Sequence, residues 1–166
     1  MKAEISTVIC DFDGVIVDSG GDICNAVNHT LVMHGKQALS KDEIFRAVGM
    51  GPRALLKRCF GDIDDDELDD VVLPEYLSYY WEHSVEETVL YPGVKETLEK
   101  LHDMDVSCAI VTNKPENITK RIVEKLDISE YIDCIVGPDS VSQMKPHPEG
   151  ILKVMEILES EPEETI

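Results

Sequence analysis

Two aspartates separated by one residue lie directly after the first apolar segment of the sequence. Asp11 and Asp13 follow Val8-Ile9-Cys10. Gly14 comes next and allows the backbone to turn sharply. Side chains at positions i and i+2 of a strand point to the same side, so the two carboxylates would lie close together. The pair predicts a nucleophilic carboxylate beside an acid/base carboxylate, with Mg²⁺ as the hard cation that suits their oxygens.

Two later segments carry polar groups that suit a phosphorylated ligand. Thr112-Asn113-Lys114-Pro115 follows an apolar segment and precedes a predicted helix. A hydroxyl and backbone N–H groups at a helix N-terminus favour phosphate, although such residues also serve as ordinary helix caps. Lys145 stands before Pro146-His147-Pro148, which would hold it rigidly enough to balance negative charge at the site. The alternative for Lys145 is a surface lysine in a turn.

Strands and helices alternate in the second half of the sequence. The predicted strands are Ile5–Cys10, Val106–Val111 and Cys134–Val136. The predicted helices cover about Val94–His102, the residues after Pro115, and Pro148 to about Leu158. This alternation predicts an α/β fold, a Rossmann-like parallel sheet covered on both faces. Ligands of such sheets bind at the carboxyl ends of the strands, where Asp11, Asp13 and Thr112 would lie.

A helical segment without strands interrupts this alternation after the first strand. The first predicted helix is Gly20–His34. A capping box at Ser40 opens a second helix that ends near Val48, and Pro52 opens a third. The fourth helical region runs from Asp65 to His83, and Pro74 should break or kink it. The sequence therefore predicts an α/β core of residues 1–17 and 85–166 with a helical cap domain, residues 18–84, inserted into it.

The composition restricts the possible partners. The chain has 34 acidic and 15 basic residues, a net charge of -19, which argues against nucleic acid and against anionic membranes as partners. Acidic residues concentrate in Asp62–Asp70 and in Glu156–Glu164, which we interpret as solvated faces. The first cluster lacks the ligand spacing of an EF-hand.

The cysteines and the apolar segments indicate a cytoplasmic protein. There are five cysteines and no C-x-x-C motif, so reduced thiols are expected. No N-terminal segment has the pattern of a signal peptide, and no apolar run approaches the length that spans a membrane.

Taken in order, these motifs resemble the haloacid dehalogenase superfamily of aspartate phosphotransferases. The resemblance rests on Asp11-Phe12-Asp13-Gly14-Val15, then Thr112-Asn113, then Lys145-Pro146-x-Pro148, with a helical insert after the first strand. Within the superfamily the chain is most similar to phosphoglycolate phosphatases. The supporting segments are Asp18-Ser19, Val48-Gly49-Met50-Gly51-Pro52-Arg53-Ala54-Leu55-Leu56, Tyr91-Pro92-Gly93-Val94 and Val111-Thr112-Asn113-Lys114-Pro115.

The resemblance implies a role for each matched residue. Asp11 would attack phosphorus and become an aspartyl-phosphate, and Asp13 would protonate the leaving alcohol and then activate water. Lys145 would stabilise the charge around Asp11. The resemblance further implies that Mg²⁺ binds the Asp11 carboxylate and the Asp13 backbone carbonyl.

Substrate contacts are implied as well. Thr112 and Asn113 would hold the phosphoryl oxygens. Gly51 and Arg53 would meet the organic part of a small phosphorylated metabolite, because an arginine fork suits a carboxylate such as that of glycolate. A solvated helix residue is an equally good interpretation of Arg53.

One departure from the superfamily pattern affects both activity and assembly. The fourth motif, a Gly-Asp pair with a further Asp, supplies a metal ligand after a fourth strand, and the sequence reaches Ile166 before it. We therefore expect weak Mg²⁺ binding and little activity from residues 1–166 alone. We also expect the edge of the first strand to be unpaired, which would favour self-association through that edge.

Several functions remain open on the sequence alone. The leading prediction is a Mg²⁺-dependent phosphatase, of which these residues form a fragment, because Asp11, Asp13 and Lys145 are all present. The alternative from another class is an inactive phosphate-binding or interaction module of the same fold. Within the superfamily a pyrophosphatase is possible, whereas a β-phosphoglucomutase-like isomerase is less favoured because Thr112-Asn113-Lys114 matches the phosphatase form. A dehalogenase is disfavoured because it would lack the Asp13 carboxylate.

Overall fold

The computed structural model describes residues 4–166, which form two compact units. The core unit contains the residues up to Asp18 together with Val89–Ile166, and the helical unit is Ser19–Thr88. The second boundary lies after Thr88, whereas the sequence placed it after Ser84. The reason is Asp22, a buried carboxylate that accepts hydrogen bonds from the backbone N–H groups of Glu86, Glu87 and Thr88 and so fixes this segment to the helical unit.

The core unit is an α/β fold built on a three-stranded parallel sheet, as the sequence predicts. Strands β1 (Thr7–Cys10), β4 (Ser107–Val111) and β5 (Cys134–Val136) lie in the order β1-β4-β5. Val8 pairs with Cys108, and Ala109 pairs with Cys134. Successive residues of β4 from Cys108 to Val111 are all buried, so both faces of the central strand are covered.

Three helices connect and cover these strands. They are α6 (Val94–Asp103), α7 (Glu116–Lys125) and α8 (Glu149–Ile157). On one face of the sheet, Val154 of α8 packs with Ala109, Val111 and Val136. Gly150 allows α8 to approach this closely, because a Cβ atom at that position would lie 2.7 Å from Cγ1 of Val111. This packing fixes the loop that precedes α8, which carries Lys145.

The outer edge of β1 is paired, contrary to the expectation of a bare edge. Ile166 donates its N–H to Thr7 O at 3.0 Å and accepts from Ile9 N at 2.7 Å, and Ser6 N donates to Glu164 O at 3.0 Å. Thr165 forms a parallel bridge with Thr7. The last residues therefore run alongside β1 as a further parallel segment.

The helical unit consists of helices α1 (Gly20–Met33), α2 (Lys41–Phe45), α3 (Pro52–Phe60), α4 (Asp65–Glu67) and α5 (Leu73–His83). The predicted capping box is confirmed: Ser40 and Glu43 bond to each other's backbone N–H. Pro52 stands at the predicted helix start. The predicted break at Pro74 takes the form of a π-helical turn, Leu68–Val72, which joins α4 to α5.

A two-stranded antiparallel ribbon joins the ends of the core unit that flank the helical unit. Strand β2 (Val17–Asp18) pairs with β3 (Val89–Leu90). The sequence analysis missed this ribbon and assigned Asp18 to a segment without strands, because two-residue strands carry no periodic pattern. Within residues 4–166, no helix combines the length and the apolar character needed to cross a membrane.

Candidate active site

Asp11 lies immediately after β1, at the carboxyl end of the strand. Its Oδ1 accepts the backbone N–H of Phe12 at 2.7 Å and lies 2.7 Å from Nζ of Lys145. Among residues 4–166, Oδ2 accepts no hydrogen bond, and the side chain is 47% exposed. One oxygen thus orients the carboxylate while the other is accessible to a ligand.

Asp13 is paired with a second, different lysine. Its Oδ1 lies 2.7 Å from Nζ of Lys114, whose side chain is only 5% exposed and lies over the ring of Phe12. Gly14 turns the chain away with a φ of 82° and donates its N–H to Val17 O. Each aspartate therefore has its own cation, which balances the repulsion expected between neighbouring carboxylates.

Lys114 was not predicted from the sequence as a site residue. The signal was available, because Lys114 stands in the same loop as Thr112 and two residues beyond it. Buried lysines are rare unless they are paired, and only the fold identifies Asp13 as the partner.

Thr112 and Asn113 follow β4 and are buried. Thr112 Oγ1 accepts the backbone N–H of Lys114 at 3.1 Å. The side-chain amide of Asn113 binds the backbone of Lys145 in both directions: Nδ2 donates to Lys145 O at 3.1 Å, and Oδ1 accepts from Lys145 N at 2.9 Å. The Asn113 side chain, predicted to hold a phosphoryl oxygen, is thus engaged in holding the lysine loop.

Lys145 connects the carboxyl ends of β1 and β4. Its Nζ donates to Val111 O at 2.8 Å and lies 2.7 Å from Asp11 Oδ1. The start of its loop is fixed by Glu149, which accepts the N–H groups of Ser142 and Gln143 and the Ser142 hydroxyl. These hydrogen bonds, those from Ser142 first, lower the pKa of the Glu149 carboxyl. Lys145 is therefore held between Asp11 and Val111 and is not a free surface lysine.

A second buried carboxylate fixes the loop after β5. Glu116, at the start of α7, accepts the N–H of Gly137 at 2.9 Å, and its own N–H donates to Asp139 at 2.9 Å. Burial raises the pKa of Glu116, but hydrogen bonds from Ser140, Gly137 and Lys120 outweigh it and leave the pKa below its usual value. A Cβ atom at Gly137 would lie 2.8 Å from Glu116 Cγ, so glycine is required there. No pattern in the sequence indicates this contact.

Gly51 and Arg53, predicted to meet the substrate, belong to the helical unit. Gly51 caps the N-terminus of α3 with a φ of 82°. Arg53 Nε donates to Asp69 at 2.7 Å, and its NH2 group donates to Asp69 at 2.9 Å and to Asp65 at 3.2 Å. Its fork is therefore held by the acidic cluster, so part of Asp62–Asp70 is an ion-pair network and not only a solvated face. The role of Arg53 in substrate binding stays a prediction.

The oxygen donors at Asp11 and Asp13 are of the type that Mg²⁺ prefers, but they are too few to fill its coordination shell. The carboxylate of Asp11 and the carbonyl of Asp13 are hard oxygen donors, which Mg²⁺ prefers. Within residues 4–166, no three side chains of His, Cys, Asp or Glu are grouped in a way that could hold a metal ion. Water would have to complete an octahedral shell around an ion held by these two residues.

Comparison with known proteins places this geometry in a family. Residues 8–166 match the family model described as haloacid dehalogenase-like hydrolase. The chain is 36% identical over 159 residues to a phosphoglycolate phosphatase of Aquifex aeolicus, covering 96% of this chain and 73% of the relative. It is 35% identical over 154 residues to a phosphoglycolate phosphatase of Pseudomonas fluorescens, covering 90% of this chain.

Structural comparison gives the same relationship. A crystal structure of a predicted phosphoglycolate phosphatase from Haemophilus somnus superposes with a TM-score of 0.90 at 25% identity, over 98% of this chain and 76% of that one. The chain spans only 57% of the length of the Pseudomonas fluorescens relative.

Proposed function

The chain belongs to the haloacid dehalogenase-like hydrolases, and we propose that it acts as a Mg²⁺-dependent phosphatase of a small phosphorylated metabolite. The observation that carries this proposal is the arrangement around Asp11. One carboxylate oxygen is fixed by Lys145 and by a backbone N–H, and the other accepts no hydrogen bond from residues 4–166. A carboxylate held in this way is poised for nucleophilic attack, because its orientation is set before the ligand arrives.

In the proposed reaction, Asp11 attacks the phosphorus atom and forms an aspartyl-phosphate. The P–O bond to the leaving alcohol breaks, and Asp13, which enters this step protonated, donates its proton to that oxygen. Asp13 then takes a proton from water, which attacks phosphorus, releases inorganic phosphate and regenerates the Asp11 carboxylate. Lys114 holds Asp13 in place through the 2.7 Å contact with its Oδ1, so the carboxyl group keeps one orientation through both proton transfers.

The remaining core residues neutralise and orient the phosphoryl group. Lys145 lies against Asp11 and supplies positive charge where negative charge accumulates in the transition state. Thr112 is proposed to contact the phosphoryl oxygens. For Asn113 we propose an indirect part, in which its amide fixes the backbone of Lys145.

Magnesium would be held by the Asp11 carboxylate and the Asp13 carbonyl, with water in the remaining positions. When bound, it would neutralise charge on the phosphoryl oxygens. The two protein donors predict weak metal binding by residues 1–166, because Mg²⁺ requires near-octahedral oxygen coordination.

The substrate class is proposed from the relatives and from the helical unit. The two curated relatives above are named phosphoglycolate phosphatases, which suggests a small carboxylated phosphomonoester. Arg53 could recognise such a carboxylate only by exchanging its bonds with Asp65 and Asp69, which are exposed and therefore weak enough to exchange. Gly51, at the start of the same helix, is proposed to contact the organic part.

Cytoplasmic localisation is part of the same proposal. All five cysteines are free thiols, and burial raises the pKa of each one. Such thiols suit a reducing compartment.

The direct test is phosphate release from a panel of phosphomonoesters, including phosphoglycolate, with and without Mg²⁺. The assay uses the 166-residue chain and any longer product of the same gene. Asp11→Asn should abolish turnover, because it keeps the size of the side chain but removes the nucleophilic charge. Asp13→Asn should slow turnover by about 10²–10⁴-fold.

Turnover that survives in Asp11→Asn near the original rate would refute the assignment of the nucleophile. Saturable binding of phosphomonoesters without turnover in every form of the protein would instead favour the inactive binding module. Release of phosphate from pyrophosphate in preference to monoesters would reassign the substrate class.

A further inference from the structure

A concave surface of the helical unit carries two arginines that the proposed reaction does not use. The groove is lined by Leu39, Glu43, Arg46, Ala47, Arg58 and Cys59 and has a volume of about 320 Å³. We call it the Arg46–Arg58 groove. All its residues lie in or beside α2 and α3, within the helical unit.

The two guanidinium groups are not held in place by a carboxylate, although the charge of Arg46 is felt by Glu43 in the same groove. Among residues 4–166, neither Arg46 nor Arg58 forms an ion pair or a side-chain hydrogen bond. The chain has 34 acidic and 15 basic residues, so partners are abundant. Arg53, in the same helix as Arg58, does form ion pairs, because its guanidinium group is held by Asp65 and Asp69.

Glu43, the acidic residue of the groove, makes its hydrogen bonds to Ser40. Glu43 accepts the N–H of Ser40 at 2.8 Å and the Ser40 hydroxyl at 2.6 Å, as part of the capping box of α2. These bonds, and to a smaller extent the charge of Arg46, lower the pKa of Glu43, so it stays ionised. Burial raises the pKa of the Cys59 thiol to about 11, so it stays neutral. The groove therefore carries two positive charges and one negative charge.

We propose that the Arg46–Arg58 groove binds a small phosphate-bearing anion through the two guanidinium forks. A phosphate group presents several oxygens to two planar donors at once, whereas a single carboxylate is satisfied by one fork. The occupant must be small, because the net charge of -19 repels extended polyanions such as nucleic acid.

The test is a titration of the 166-residue chain with inorganic phosphate at constant ionic strength, followed by NMR of the arginine Nε–Hε groups. Phosphate should shift the Arg46 and Arg58 signals saturably and leave the Arg53 signal unchanged. Substituting both groove arginines, Arg46→Gln with Arg58→Gln, should weaken the binding detected by calorimetry by about tenfold or more.

Two single variants separate this site from others. Glu43→Gln should tighten phosphate binding, because it removes the negative charge while glutamine can still complete the capping box. Lys145→Ala removes the cation beside Asp11 and should leave the groove affinity unchanged. A phosphomonoester titrated in parallel distinguishes free phosphate from an organic phosphate as the preferred ligand, according to which one binds more tightly.

Three results would overturn the proposal. They are phosphate shifts at Arg53 as large as those at Arg46 and Arg58, unchanged affinity in the double variant, and loss of the groove signal in Lys145→Ala. Because none of these measurements requires turnover, they stand independently of the proposed phosphatase activity.

Discussion

Replacing Asn113 by alanine separates two roles that this residue could have in phosphoryl transfer. The side-chain amide makes two hydrogen bonds to the backbone of Lys145, of 2.9 and 3.1 Å, in a buried position. Each buried partner left unsatisfied costs about 1–3 kcal/mol, so two partners set an upper limit of about 6 kcal/mol. Because Lys145 is only partly buried, we expect the free energy of unfolding to fall by about 2–4 kcal/mol. A displacement of Lys145 by about 1 Å should also lower turnover by about 10²-fold.

A double-mutant cycle with Lys145→Ala tests whether the effect on catalysis acts through the lysine. If Asn113 only positions Lys145, Asn113→Ala should lower turnover little once the lysine side chain is gone. The stability loss should persist in that background, because the hydrogen bonds are made to the backbone of residue 145. Urea denaturation measures the stability, and phosphate release by the chain or by any longer product of its gene measures the turnover.

Asn117→Ala is the matched control, because Asn117 is exposed at the start of α7 and its side chain, among residues 4–166, hydrogen-bonds only to the N–H of Ile118. It should change both quantities little. Additive losses of turnover for Asn113→Ala and Lys145→Ala would refute the positioning role and favour a direct contact with the phosphoryl group. An unchanged free energy of unfolding in Asn113→Ala would contradict the hydrogen bonds themselves.

Three further predictions follow from the same contacts. Lys114→Met should lower the free energy of unfolding by about 1–3 kcal/mol, because Asp13 loses its cation. Lys114→Arg should restore part of this stability. Equal stability of the original protein and both variants by urea denaturation would argue against the Lys114–Asp13 ion pair. Calorimetry should find only weak Mg²⁺ binding to residues 1–166, and Asp11→Asn should weaken it further; tight binding would mean that a ligand has been overlooked. Burial raises the pKa of Cys59 and of Cys108 from 9.0 to about 11. The unfolded chain therefore loses thiol protons that the folded chain keeps, and stability should fall as pH rises from 9 towards 11. A variant with both cysteines changed to alanine should show a smaller fall across this range, and an identical fall would exclude the thiols as its source.

Local patterns in the sequence predicted the helix starts correctly where a particular residue type determines the backbone conformation. Ser40 with Glu43 and Pro52 each placed a helix start correctly, because both patterns satisfy or remove N–H groups that a helix leaves free. Pro74 indicated an interruption but not its form. A π-helical turn keeps the helix continuous in a way that the sequence alone did not reveal.

Local patterns in the sequence did not predict the hydrogen-bond partners of polar side chains. Asn113 and Lys145 are 32 residues apart, and their hydrogen bonds exist only because β4 and the loop before α8 meet at one end of the sheet. Sequence reasoning placed both residues at that end. It could not decide whether the Asn113 amide faces a ligand or the backbone, since both choices satisfy the same donor and acceptor.

The edge of β1 illustrates how a correct topological argument can still predict the wrong surface. Strand order left the outer side of β1 without a neighbour, and apolar edges of this kind promote association. Residues 164–166, however, begin at the end of the turn Pro162–Glu164. They make three backbone hydrogen bonds to Ser6, Thr7 and Ile9. Another chain could pair with β1 at these positions only by displacing bonds worth about 0.5–1.5 kcal/mol each. Self-association of the chain stays a prediction, but this part of the edge is a poor place for it to begin.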